Sequence, residues 1–262
     1  MTGFAKLGGG LIVAAVLASG TAAAEEALTG LQLAERMDAV DHSKDSERLA
    51  TMVIERGKQR LTRRMRLTGM KIGVDERSLI AFDEPADVRG TKYLSWVYDD
   101  PTAEDDLWVF FPSENLIRRI SGGGKKGSFM RSDFANEDIE ARAVADDTHE
   151  LTGTATLNGR ECYLLESTPI ALKAKDSNYA RRVSWVDKET LIALKIEYYD
   201  RRDRLIKTLS QGGIEQIDGI WTATKLIMET PRRGSRTLMQ YSEVRYDQGL
   251  VAGVFDQDAL KR

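Results

Sequence analysis

The sequence predicts a mainly β protein, built as one large antiparallel sheet that curls on itself, with a single helix ahead of it. Three observations carry this. From Leu49 nearly to the end of the 262-residue chain, apolar and polar residues alternate with a period of two. The alternating runs are short and separated by the tight-turn pairs Asn158-Gly159, Gly212-Gly213, Asp218-Gly219 and Arg233-Gly234. No strand-helix-strand pattern interrupts them. About a dozen such strands exceed what an open sheet holds without curling.

Residues 1–24 read as a cleaved secretory signal peptide. Lys6 supplies a short positive region, Leu7 to Ala18 an apolar stretch, and Ala22 and Ala24 an A-x-A cleavage site before Glu25-Glu26. The apolar stretch contains three consecutive glycines and is shorter than the roughly 20 residues a membrane span requires. Residues 25–262 are then expected to be a single exported domain, periplasmic in a Gram-negative cell. A lone cysteine, Cys162, suits such a compartment because it has no partner with which to mispair.

Thr29-Gly30-Leu31-Gln32 has the form of a helical capping box, followed by Leu33, Met37 and Val40 on one face. The strands begin with Met52 and Ile54, then Leu61, Met65 and Leu67 backed by Thr62, Arg64 and Arg66. Further strands fall at Ile80-Phe82, Tyr93-Tyr98, Leu107-Phe111, Leu116-Ile120, Cys162-Ser167 and Val183-Val186. Leu191-Tyr199, Leu205-Leu209, Trp221-Glu229 and Thr237-Tyr246 complete the set. Alternation of this kind gives a sheet one dry and one wet side. With so little helix to cover it, the dry side either packs on itself or encloses an apolar hollow.

Residues 118–139 interrupt the strands. Gly122, Gly124 and Gly127 have GxGxxG spacing, but the flanking segments are not a βαβ unit, so dinucleotide binding is not expected. The segment reads as a basic lid. Gly122, Gly123 and Gly124 form a hinge, Phe129, Met130 and Phe134 present apolar groups, and Ser132 starts a short helix through Asp138. Arg118, Arg119, Lys125, Lys126 and Arg131 supply charge for an anionic head group. The plain alternative is a solvated loop.

Composition removes other classes. Lys and Arg total 38 against 41 Asp and Glu, a net charge of −3, which gives no drive towards nucleic acid. One cysteine and two histidines leave little for a metal site or a Ser–His–Asp triad. No nucleophile–base pair is apparent, so neither catalysis nor a cofactor is expected.

Several motifs together resemble a known family: Asp106-Leu107-Trp108-Val109-Phe110-Phe111-Pro112, Arg118-Arg119-Ile120-Ser121, Gly127-Ser128-Phe129-Met130, Ser132-Asp133-Phe134, Glu137-Asp138, Trp185-Val186-Asp187, Glu197-Tyr198-Tyr199-Asp200, Gly219-Ile220-Trp221-Thr222 and Val244-Arg245-Tyr246-Asp247. The chain is similar in these to the periplasmic outer membrane lipoprotein-sorting-like proteins of the LolA/LolB-like superfamily. It departs from them at Arg131, where the family has Gly, and at Ala135-Asn136, where it has Thr-Tyr. The resemblance implies a strongly curved antiparallel sheet, an incomplete half-barrel with a few lid or plug helices. It also implies a non-enzymatic, monomeric carrier of lipid or lipoprotein acyl chains, in transient contact with membranes and a partner of an RND/MMPL-type inner-membrane exporter. The competing expectation is an accessory protein of such an exporter that binds protein and not lipid.

Combined with the one-sided sheet, this predicts an acyl-binding hollow. Its lining is assigned to Met52, Ile54, Met65, Leu67, Phe82, Leu94, Trp96, Trp185, Leu194, Ile196, Tyr198, Met228 and Met239. Unbranched thioethers suit such a lining because they repack around chains of different shape.

Overall fold

The computed structural model describes Met1 and residues 27–262; the expected signal peptide, apart from Met1, lies outside the described residues. Helix α1 (Gly30–Asp38) comes first. Its capping box is formed as expected: Gln32 N donates to Thr29 Oγ1 at 3.1 Å and Thr29 N to Gln32 Oε1 at 3.0 Å.

Thirteen strands follow, all in one sheet. They are β1 (Asp45–Arg56), β2 (Gln59–Ile72), β3 (Asp75–Glu84), β4 (Lys92–Val97), β5 (Asp106–Phe111), β6 (Leu116–Ile120), β7 (Asp147–Leu157), β8 (Arg160–Pro169), β9 (Arg181–Asp187), β10 (Ala193–Tyr199), β11 (Leu205–Ile217), β12 (Ile220–Thr230) and β13 (Ser235–Tyr246). Their order is β6-β5-β4-β3-β2-β1-β13-β12-β11-β10-β9-β8-β7, every pair antiparallel, with β6 and β7 as free edges. The sheet is therefore open and not a closed barrel. Strand β7 was not expected from the sequence. Its less exposed positions after Asp147 are His149, Leu151, Gly153, Ala155 and Leu157, only two of them large and apolar, so the dry-side signal is faint.

One buried cluster joins Val109 on β5 to Tyr198 on β10. Nine consecutive strands laid flat would place those residues roughly 40 Å apart at the usual strand spacing, so the shared cluster requires the sheet to wrap. The face turned into this cluster is the inner face. Register assigns it Ala50, Met52 and Ile54 on β1, Met65 and Leu67 on β2, Ile80 and Phe82 on β3, and Tyr93 and Ser95 on β4.

Three elements cover the sheet. On the inner face of β7–β9, α1 packs Leu33 and Ala34 against Leu165 and Val186. The segment between β6 and β7 crosses the middle of the inner face as a chain of 3-10 turns, at Gly122–Lys126, Phe129–Arg131, Asn136–Asp138 and Val144–Asp146. The tail after β13 crosses to the outer face, where Leu250, Val254, Phe255 and Leu260 pack on Leu94, Trp96, Trp108 and Phe110.

Candidate functional site

The inner face carries the large apolar cluster expected from alternation. Met52, Ile54, Met65, Phe82, Tyr198, Met228 and Met239 all belong to it, with Leu67 and Ile196 packed at its margin. Met52 and Met228 are wholly buried. Four of the thirteen residues assigned to the hollow lie elsewhere. Leu94 and Trp96 face outward, because Tyr93 and Ser95 take the inner positions of β4; Trp96 Nε1 donates to Phe255 O at 2.8 Å. Trp185 pairs across strands with Leu164 and Lys195 and lies under the Lys195 ammonium, 4.3 Å from the ring centre. Leu194 is buried beside a β-bulge and outside the cluster.

The segment expected to be a basic lid is a plug. Phe129 is fully buried, its ring 5.8 Å from that of Phe82 and 5.0 Å from that of Tyr93. Phe134 is buried with it, and Met130 packs at the edge. No helix starts at Ser132. Its hydroxyl donates to Phe129 O at 2.6 Å and accepts from Phe134 N, closing a tight loop in place of capping a helix. Met130 and Arg131 both have positive φ, 49° and 66°, which aims the loop tip away from regular structure. The glycines precede this loop as a 3-10 turn in which Gly124 N donates to Ser121 O, so 122–124 is an ordered turn of the plug.

Polar ties hold the plug to the sheet. Buried Asp133 accepts from Ser235 Oγ at 2.5 Å and Thr237 Oγ1 at 2.8 Å, while its own N–H donates to Thr237 Oγ1. Arg63, buried on β2, donates from Nη1 to Met130 O at 2.6 Å and forms no ion pair among the described residues. Asp138 accepts from Tyr179 Oη at 2.8 Å and Lys207 Nζ at 3.1 Å. Glu137 accepts from Ser177 Oγ and Asn178 N. Sequence reasoning passed over Arg63, although its place between Leu61 and Met65 in the inward register of β2 was a usable signal.

The charges expected to meet a head group divide. Lys125 is buried in a pair with Glu140 at 3.0 Å and is not available. Burial pushes the Glu140 carboxyl up to about 7 in spite of that ammonium. Arg119 is held by Asp106 at 2.6 Å, and Arg118 by Glu114 at 2.8 Å. Lys126 donates to Lys175 O at the surface, and Arg131 stands exposed at the loop tip. The plug fills the middle of the inner face; between the plug and α1 a groove of about 310 Å³ stays open on that face beside Ile196 and Tyr198.

A family model described as "Uncharacterized protein" matches residues 74–262. The crystal structure of a DUF1329 family protein from Desulfovibrio piger is 48% identical, covers 88% of this chain and 97% of its own, and superposes with a TM-score of 0.85. The chain belongs to the DUF1329 family. A putative outer membrane lipoprotein-sorting protein domain from Vibrio parahaemolyticus is 32% identical over 89% of this chain and 98% of its own, with a TM-score of 0.84. A LolA superfamily protein from Nitrosomonas europaea, 24% identical with a TM-score of 0.71, covers 89% of this chain and 100% of its own and shares the fold. No curated protein sequence matches. The DUF1329 chain thus has the LolA-like architecture that its motifs resembled.

Proposed function

We propose that this DUF1329 protein is a non-enzymatic periplasmic carrier that shelters acyl chains of a lipid or lipoprotein on the inner face of its sheet and moves them towards the outer membrane. One observation carries the reading: a methionine-rich apolar face is covered by an irregular plug tied through a few polar contacts, and not by a second sheet or a long helix. Such a cover leaves without unfolding any strand. Each methylene buried in its place contributes about 0.8 kcal/mol, so a chain of a dozen or more carbons competes with the plug's two phenylalanines. Similarity to a lipoprotein-sorting domain supports the same reading. The N-terminal address is consistent with export, and an RND/MMPL-type exporter is a candidate source or acceptor of the cargo.

Mass spectrometry of protein purified from its native periplasm, under native and denaturing conditions, tests this. A stoichiometric co-purifying lipid is expected. A clean protein mass, with no uptake of added fatty acid or hydrophobic dye, would overturn the carrier reading in favour of a protein-binding accessory.

A further inference from the structure

Charge is distributed unevenly along the strands. Three neighbouring hairpins point the same way: β1–β2, β12–β13 and β10–β11, on strands that are contiguous in the sheet. Their tips read Arg56-Gly57-Lys58-Gln59-Arg60, Pro231-Arg232-Arg233-Gly234 and Arg201-Arg202-Asp203-Arg204. At the other end of the same strands the β11–β12 turn carries Glu215 and Asp218, and the β2–β3 turn leads into Asp75 and Glu76. A chain of net charge −3 therefore concentrates cations on one set of turns.

These cations are not consumed internally. Arg56, Lys58, Arg202, Arg232 and Arg233 are exposed and enter no ion pair among the described residues, whereas Arg60, Arg204 and Arg236 are matched by Glu55 and Asp200. Beside the β10–β11 tip lies an open basin of about 420 Å³ lined by Lys126, Arg201, Arg202 and Arg204, with Asp200 as its acid. Lys126 belongs to the plug, so the basin joins the cationic turns to the cover of the inner face. Leu61 and Leu205, 43% and 38% exposed, open β2 and β11 at the same end. Leu61 is also the cross-strand partner of Ile54, which puts it at the rim of the apolar cluster.

We infer that this end of the molecule docks on the surface of an anionic phospholipid bilayer, with the cationic turns against the headgroup phosphates and the basin taking one headgroup beside the plug. Unpaired point charges spread over three separate turns suit a planar anionic surface. They lack the central apolar pocket of a protein interface, and two single leucines match the shallow headgroup–acyl boundary. The orientation turns the rim of the acyl-binding face to the membrane, where cargo has the shortest path. It goes beyond acyl carriage and does not depend on it, because a charged end docks whether or not the plug opens.

Vesicle flotation with the mature chain tests it, comparing phosphatidylcholine vesicles with vesicles containing phosphatidylglycerol. Wild type is expected on the anionic vesicles only, and to leave them at ~0.5 M salt, where screening shortens to a few ångströms. Each cation at such a surface is worth about fivefold in partition. Combining Arg56→Gln, Lys58→Gln, Arg232→Gln and Arg233→Gln should lower binding about six hundredfold. A matched set remote from these turns, Lys44→Gln, Lys188→Gln, Lys225→Gln and Arg245→Gln, should leave it nearly unchanged. Equal binding to neutral vesicles, no binding by wild type, or an equal loss in both variants overturns the inference. A protein that takes up fatty acid yet ignores anionic vesicles overturns this docking alone, and one that docks but takes up no acyl chain overturns only the carrier reading.

Discussion

Replacing Phe129 by Ala separates a plug from an ordinary piece of core. The ring is fully buried between Phe82 and Tyr93. Truncating a core phenylalanine costs about 3–5 kcal/mol, and the lower end applies here because an irregular segment relaxes into the space more readily than a strand. A loss of ~3 kcal/mol is roughly a hundredfold in whichever equilibrium the ring stabilises. If that equilibrium is seating of the plug, backbone amides of residues 127–136 should exchange with solvent about a hundredfold faster. Amides paired between β1 and β13 should then keep their protection. Uptake of a hydrophobic dye or fatty acid should rise under native conditions, because the emptied space is apolar and its cover is looser. Native-state hydrogen exchange with a parallel dye titration reads both quantities. The reasoning is refuted if plug and strand amides lose protection by the same factor while dye uptake stays flat, since the plug would then open only with the whole fold.

Arg63→Met removes the donor to Met130 O, and loss of a charge-assisted hydrogen bond of about 1.5–3 kcal/mol should loosen the loop tip; faster exchange at 129–132 with unchanged strand protection checks it. Phe255→Ala should lower global stability by ~3 kcal/mol without raising fatty-acid uptake, because Phe255 packs on the outer face; chemical denaturation with the same titration separates the two effects. Glu140 retains its proton in the fold up to about 7, whereas the unfolded chain releases it near 4.5, so its contribution is most favourable below that lower value and is lost as pH rises to 7. The change amounts to ~3 kcal/mol at most. Glu140→Gln should flatten this limb of the stability–pH curve, and an unaltered slope would remove the assigned cause.

Alternation made most of the fold legible because each strand of a one-sided sheet must present its apolar residues to the same side. It was silent where a strand is apolar on both sides. In β4, Tyr93 and Leu94 are both buried, one towards the inner cluster and the other towards Phe255 and Leu260. Nothing local to β4 says which is which; the tail that settles it has no periodicity and lies more than 150 positions away. The plug was misjudged for a related reason. Its glycines, lysines and acids read as solvated when taken alone. Asp133 finds Thr237, Glu137 finds Ser177 and Asp138 finds Lys207, all partners remote in sequence that make polar residues interior ones. Lys125, expected at a head group, is buried for the same reason.

The character of these ties bears on how a carrier of this build would open. Apolar contacts weaken gradually as surfaces slide apart, since dispersion falls off atom by atom and area is exposed in proportion. A buried carboxylate with satisfied hydrogen bonds behaves differently: partial withdrawal leaves charge and hydroxyls unpaired in a poorly polarisable medium, which costs more than complete release into water. Asp133 with its two hydroxyls, and Asp138 with Tyr179 and Lys207, are ties of that kind. Phe129 and Phe134 make the plug's apolar contribution on the same few residues. Intermediate positions are therefore the unfavourable ones, and the plug is expected to be either seated or free. A two-position cover lets cargo replace two phenylalanine rings in one event while all thirteen strands stay paired. That requirement favours buried carboxylates over additional leucines in the segment that closes the inner face.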